Sequence, residues 1–264
     1  MLPGDDGAVE FLTRGRIDVE GRLVDASNAT LFCRISLDGV EARCVYKPVR
    51  GERPLWDFPD GTLAGREVST YLVSRAAGLD LVPPTVLRPG PFGDGMVQLW
   101  VDTVEDGDLV DVVAEDAVPK DWRAVLRAHD DVGEPVVLVH ADHPRVRLMA
   151  VLDAVVNNAD RKGGHVLHGV DGGVYGVDHG ICLHVEDKLR TVLWGWLGEP
   201  LPDEGVEALH RLRADLPGAL GDVLHEHLTR AEVRRLGERV DKLVAASVFP
   251  EPSDDRPMIP WPAF

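Results

Sequence analysis

The chain has 264 residues, 44% of them hydrophobic, and its 28 basic and 45 acidic side chains leave a formal charge of −17. This length and composition fit one large or two small domains with a real core, and exclude disordered, collagen-like and coiled-coil classes. Charge of this sign repels phosphate backbones and anionic lipid heads, so neither a nucleic-acid binder nor a strongly membrane-associated enzyme is expected.

No apolar run reaches the roughly eighteen residues of a spanning helix, and MLPGDDGAVEF lacks the basic and apolar regions of a secretory signal. The three cysteines, Cys33, Cys44 and Cys182, contain no CxxC. They argue against a disulfide framework or a zinc knuckle and for a reduced, cytoplasmic protein.

Residues 11–49 read as β structure, with the runs FLTRGRIDVEGRLV, TLFCRISL and ARCVYKPV separated by turns. Residues 50–62 form a loop dense in Pro and Gly. Residues 63–77 read as a helix capped by Thr62, with Val68, Tyr71, Leu72 and Ala76 on one face and Gly78 as the stop. LVPPTVLR and MVQLWV are two further strands. After residue 102 an acidic connector opens a second lobe, expected to be mainly helical. Residues 121–130 are weakly helical in pattern, and 147–158 strongly so, with Leu148, Val151, Leu152, Val155 and Val156 on one stripe. HVLHGVDGGVYGVDHG reads as a hairpin, and 203–248 as two or three helices. The Pro-rich tail is expected to pack back through Met258, Ile259, Trp261 and Phe264. The expected fold is thus α+β and bilobal. Residues 1–102 form an antiparallel sheet with one helix, residues 103–264 a mainly helical lobe, and a ligand cleft lies between them.

Three features carry chemistry. Lys47 lies in the apolar strand run CVYKPV and Glu67 on the following helix. Asp160-Arg161-Lys162-Gly163-Gly164-His165 follows a helix directly. Val177-Asp178-His179-Gly180 ends a hairpin strand. Phosphoryl transfer needs a fixed cation on the nucleotide phosphates, a carboxylate to hold it, a second to orient the acceptor and a third to hold a metal. Lys47, Glu67, Asp160 and Asp178 supply these in order.

YKP, GERPLWDFPDGTLAGRE, NNADRKGGH and VDHG together resemble the actinobacterial phosphatidylinositol 3-/4-kinase-related proteins over roughly residues 10–200. These are distant relatives of the protein-kinase fold, and the layout is also similar to type II phosphatidylinositol 4-kinases and HipA-type kinases. The resemblance implies a bilobal protein-kinase-like fold, ATP as substrate and Mg2+ or Mn2+ as cofactor. It implies Lys47 on the phosphates with Glu67 as its partner, Asp160 as the catalytic aspartate and Asp178 as a metal ligand. Gln98, Leu99, Trp100 and Val101, running on to Asp102, would form the linker against which adenine docks. The turn at 25–30, with Ser27 and Asn28, would replace the Gly-rich loop over the phosphates. The chain departs from the pattern twice. His165 stands where the metal-binding Asn is usual, and no GxGxxG occurs in the first hairpin.

Plainer roles exist for each residue. Lys47 would be a solvated strand lysine, and Glu67 a surface residue paired with Arg66. Asp160 would be a turn residue, although a carboxylate after a helix C-terminus opposes the helix dipole. Arg161 and Lys162 would touch the acceptor or merely offset nearby carboxylates. His140-Ala-Asp-His143 and His225-Glu-His227 lack the HExxH spacing of a zinc helix and read as solvated surface. The indole-rich stretch 188–202 reads as core, with a wall beside Asp178 as the alternative and Lys188 and Arg190 as anion contacts. The favoured function is an ATP-dependent phosphotransferase acting on a protein hydroxyl, on itself or on a small polar metabolite rather than on a lipid. A nucleotide-binding pseudokinase and a nucleotidyl transferase are the alternatives.

Overall fold

The computed structural model describes residues 2–23, 29–253 and 255–264. The chain begins with a short helix, α1 (Ala8–Arg14), where strand was expected. The reason lies in the spacing of its buried residues: Ala8, Phe11 and Leu12 share one helical face. Strand begins only after Gly15.

Five strands follow: β1 (Arg16–Arg22), β2 (Leu31–Leu37), β3 (Val40–Pro48), β4 (Thr85–Gly90) and β5 (Gly93–Leu99), with α2 (Leu63–Ala76) between β3 and β4. They form an antiparallel sheet in the order β1-β2-β3-β5-β4. Because side chains alternate along a strand, the sheet has two distinct faces. Cys33, Ile35, Cys44, Tyr46, Val97 and Leu99 pack on Phe11 and Leu12 of α1. On the other face Met96 packs on Ala64 and Val68 of α2. The pairs Phe32 with Val45, Val45 with Gln98 and Lys47 with Met96 place Phe32, Val45, Lys47 and Gln98 on this second face.

A second antiparallel sheet follows, in the order β6-β8-β7: β6 (Val110–Ala114), β7 (Trp122–His129) and β8 (Pro135–Ala141). Residues 121–130, expected as weak helix, are therefore mostly strand. Pairing decides this. The β-branched run of β8 buries Val137, Leu138 and Val139, and β7 completes its ladder. The connecting turn is built by the Asp130 carboxylate, which accepts from the backbone N–H groups of Val132 and Glu134.

The rest is mainly helical: α3 (Pro144–Val156), the hairpin β9 (Val166–His168) and β10 (Val174–Gly176), then α4 (Asp203–Asp215), α5 (Ala219–Leu224) and α6 (Arg230–Ala246). Pro144 stands in the first turn of α3, where a missing N–H costs nothing. A capping box of Thr229 and Glu232 starts α6. The α+β, two-lobed expectation holds. The large core of the helical lobe also takes in Tyr71, Val73, Ala77, Leu79, Leu81 and Val82, so α2 is packed into both lobes.

The tail lies back across the helical lobe. The Met258 carbonyl accepts from Thr191 N–H at 3.1 Å and from the Trp194 indole at 2.8 Å. The Ala263 carbonyl accepts from Gly163 N–H at 2.8 Å. The Phe264 ring comes so close that a Cβ on Gly163 would lie 2.2 Å from it. Trp261, expected to help pin the tail, instead projects into solvent with 91% of its surface exposed.

Candidate active site

Lys47 Nζ lies 2.6 Å from Glu67 Oε1 and 2.8 Å from Asp178 Oδ1. One ammonium thus joins β3, α2 and the segment after β10. The second oxygen of Glu67 accepts from His179 N–H at 2.9 Å. The N-terminus of α2 is fixed by the Glu52 carboxylate, which accepts from Leu63 and Ala64 N–H, and by Thr62, which accepts from Gly65 N–H. Arg66 does not neutralise its neighbour Glu67. Its fully buried guanidinium instead donates to the carbonyls of Cys182 and Asp60 and pairs with Glu232 of α6.

The charges are strongly shifted. Burial alone would lower the Lys47 ammonium, but Asp178 and Glu67 outweigh it and hold it above the usual lysine range. The ammonium of Lys47, aided by His165, holds the Asp178 carboxyl well below the usual carboxylate range. Burial raises Glu67 against the pull of Lys47. Asp178 has φ of +60°, a left-handed backbone that costs a non-glycine residue about 1–2 kcal/mol. The His179 N–H bond to Glu67 helps to hold it there.

The catalytic-loop candidates follow α3, which ends on Asn157 at φ of +54°. Asn157 accepts from Lys188 N–H and donates to the carbonyls of His184 and Glu186. The Asn158 side chain accepts from Asp160 N–H and donates to Asp153. Asp160 is half-buried, and its carboxyl is pushed up to about 6, mainly by burial, with the Asp178 charge adding to it and Lys162 opposing. Such a group has both a proton-accepting oxygen and a pKa near neutrality.

Arg161 is placed differently from an acceptor contact. It is fully buried and forks onto Asp153, with Nε 3.0 Å from Oδ2 and Nη2 2.9 Å from Oδ1. It also donates to the carbonyls of His165 and Val177 and meets His179 Nε2 at 2.6 Å. Its fork thus faces a buried carboxylate rather than the cleft. Asp153, which the sequence reading missed, is the hub of this network and also accepts from the Thr191 hydroxyl. A carboxylate inside the all-buried stretch 148–156 was the available signal.

His165 Nε2 lies 3.5 Å from Asp178 Oδ2. Its Nδ1 is 3.2 Å from the Asp160 carbonyl, which can only accept. Both ring nitrogens thus face acceptors, the Asp160 carbonyl and the Asp178 carboxylate. Burial lowers the imidazole to about 4, so it is neutral at pH 7. Among the described residues, no group of three or more His, Cys, Asp or Glu side chains forms a metal cage. Two protein donors facing each other fit an ion that takes its remaining ligands from phosphate and water.

Strand parity separates the proposed nucleotide residues. Gln98 shares the Lys47 face and donates to the Thr85 hydroxyl. Leu99 points away, into the core beneath α1. Trp100 meets Phe32 edge-on at 4.9 Å and borders a cavity of about 410 Å3 with Arg43 and Asp102. Val101 is buried. Phe32 and Val45, which the sequence reading passed over, line the face between Lys47 and this cavity. Ser27 and Asn28 lie outside the described residues.

The remaining candidates are structural. His140 is buried rather than solvated, accepts from Gly195 N–H and packs at a tilt against Trp196; His143 caps α3. His225 is exposed as expected, whereas His227 is only partly exposed. Trp194 and Trp196 are core. Lys188 is not a free anion contact: it is buried and bonded to Asp57. Arg190 donates to the Ala159 carbonyl, beside Asp160.

Fold and site together define a two-lobed α+β protein whose strand lysine is held between carboxylates of both lobes. No family model matches the chain. Protein Rv2133c of Mycobacterium tuberculosis (strain ATCC 25618 / H37Rv) is 52% identical over 272 residues, covering 100% of this chain and 97% of that protein. The chain belongs to the family of that mycobacterial protein. Among solved structures, the Helicobacter pylori proinflammatory kinase CtkA aligns over 90% of this chain and 94% of its own, with 12% identity and a TM-score of 0.49. No helix among the described residues is long and apolar enough to cross a membrane.

Proposed function

We propose that the protein is an ATP-dependent phosphotransferase. The observation that carries this reading is the bridge of Lys47 to both Glu67 and Asp178. An ammonium so held is ready to meet a polyphosphate: Glu67 fixes it from the buried side, and Asp178, half exposed, opens to the cleft.

Adenine would lie on Phe32 and Val45 beneath Gln98 and Trp100, with the phosphates toward Lys47. Lys47 and Arg43 are four residues apart on β3, about 13 Å at the usual strand rise, which matches an extended nucleotide. Asp178 and His165 would hold Mg2+ or Mn2+, which when bound neutralises charge developing on the phosphates. Asp160 orients the acceptor hydroxyl and takes its proton as the oxygen attacks the γ-phosphorus and the bond to ADP breaks. Lys47 compensates the charge left on the departing phosphates. Arg161, through Asp153 and His179, holds Asp160 and Asp178 in register as a positioning residue. A net charge of −17 disfavours an anionic bilayer and favours a protein hydroxyl or a small polar metabolite as acceptor.

The test is incubation with γ-labelled ATP and Mg2+ or Mn2+, for wild type and the Asp160→Asn and Asp178→Asn variants. Label transfer or hydrolysis is expected to fall at least about a hundredfold in each variant. Undiminished turnover in both overturns the assignment. Binding without turnover in wild type identifies a pseudokinase, and label retained only from α-labelled ATP identifies nucleotidyl transfer.

A further inference from the structure

Asp160 lies in a short backbone ladder whose outer edge is covered by the tail. The carbonyls of Asn158 and Arg161 accept from Arg190 and Val192 N–H, and the Arg190 carbonyl accepts from Arg161 N–H. Thr191, which bridges Arg161 in parallel, turns its own N–H outward. There the Met258 carbonyl accepts from it at 3.1 Å and from the Trp194 indole at 2.8 Å. Three residues after Asp160, Gly163 N–H donates to the Ala263 carbonyl at 2.8 Å, beneath the Phe264 ring. Gly163, Thr191 and Trp194 are all buried, and each of these donors has a tail carbonyl as its partner. Stripped of the tail, they would be left unpaired at a cost.

The tail itself grips from one side only. Residues 255–264 form neither helix nor strand. Among the described residues, no backbone N–H from Arg256 onward donates to the body, and Pro257, Pro260 and Pro262 have none to give. Trp261 and half of Phe264 face solvent. Residues 254–264 also contain no Ser, Thr or Tyr. A strand edge with unpaired donors is a template for another chain, and this one is filled by a segment that offers carbonyls and no hydroxyl.

We propose that the edge made by Gly163, Thr191 and Trp194 is where a polypeptide substrate docks, presenting its carbonyls as the tail does, and that the tail fills this edge until the substrate displaces it. The inference rests on the proposed phosphoryl transfer and narrows its substrate to a peptide hydroxyl. That hydroxyl oxygen attacks the γ-phosphorus, its proton passes to Asp160 and ADP leaves.

The test loosens the tail in the full chain. Ile259→Asp breaks an apolar contact with the helical lobe, and Phe264→Ser, at a half-exposed position, is the milder variant should the first fail to fold. Dye-labelled peptide RPMIPWPAF, the sequence of residues 256–264, is titrated into each by fluorescence anisotropy without ATP. Saturable binding is expected, at least about tenfold tighter than to wild type, where the tethered tail competes. A scrambled peptide should not bind. Adding Gly163→Ala, whose Cβ would meet the Phe264 ring of the peptide, should weaken binding at least about tenfold. With γ-labelled ATP, the loosened variants should label a degenerate serine-peptide mixture at least about fivefold faster than wild type. RPMIPWPAF should inhibit this labelling in competition with the mixture and not with ATP. Peptide binding with no label transfer in any variant overturns the phosphotransferase reading, and the substrate role with it, while the edge stands as a peptide site. Label transfer with no gain in peptide binding over wild type, equal binding of the scrambled peptide, or inhibition competitive with ATP overturns the edge as the docking site.

Discussion

Two cations of this protein sit among similar partners but differ in how far they are closed off from solvent. Lys47 lies between Glu67 and Asp178, and Arg161 between Asp153 and His179. Arg161 has no exposed surface, and its fork is taken by a carboxylate, two carbonyls and an imidazole. Lys47 is a point charge whose side chain is 20% exposed and whose partner Asp178 is 51% exposed. On the proposed function, the closed arrangement sets geometry and the open one would accept a ligand. The choice of residue follows: a planar guanidinium satisfies several fixed acceptors at once, whereas an ammonium can be shared with an incoming phosphate.

The comparison breaks most directly at Arg161. Arg161→Leu leaves Asp153 buried and unpaired, and should cost about 3–5 kcal/mol of stability, read from the midpoint of urea unfolding. Asp178→Asn touches a half-exposed pair and should move the same midpoint by less than about 1 kcal/mol, while removing phosphoryl transfer. Equal losses of stability in the two variants would show that the open site is scaffold too.

This division was only partly legible in the sequence. Lys47 between apolar neighbours and Asp178 after a hairpin are charged groups at places where charge is otherwise wasted, so they stood out; Glu67 stood out only as a carboxylate on the helix that follows the lysine strand, and its burial was not legible. The structure brings these three together, with His165 beside them. Arg161 was ambiguous because a guanidinium next to Asp160 reads equally as a substrate contact or as an internal brace. Only the distant Asp153, placed beneath it by the turn at Asn157, decides between the two. Leu99 points away for a simpler reason: neighbouring residues of one strand, here Gln98 and Leu99 of β5, face opposite sides. The fold was missed where tertiary pairing overrode local pattern. β7 has little strand character of its own and takes its state from β8.

Resistance to protons should track closure. His140 belongs to the sealed side, where Nε2 accepts from Gly195 N–H and Nδ1 faces the Ala141 carbonyl. Burial lowers its folded pKa to about 4. The unfolded chain takes up that proton near 6.5, so between these values the unfolded state binds more protons than the folded one. Stability is therefore complete above about pH 6.5 and declines as pH falls toward 4, by roughly 3 kcal/mol from this group. Urea midpoints measured against pH should show the decline, and His140→Gln should flatten it. An unchanged slope in the variant would assign the loss to other groups.

The pair Arg66–Glu232 sharpens the comparison from a third position, since it is sealed like Arg161 yet sits one residue from Glu67 on the open site's own helix. If closure is what separates scaffold from site, this pair should behave as scaffold. Arg66→Met and Glu232→Gln should each destabilise the fold, because each strands a buried partner, and the double variant should recover part of the loss. A coupling of about 1–3 kcal/mol is the expected scale. The pair also ties α2 to α6 across the lobes, so its loss should loosen the hold of Glu67 on Lys47. The stabilisation given by ATP in a thermal melt should then shrink in the single variants even after their lower starting Tm is subtracted. A coupling near zero with an unaltered ATP shift would mean that α2 is held by its apolar contacts alone, through Tyr71, Val73 and the residues after it.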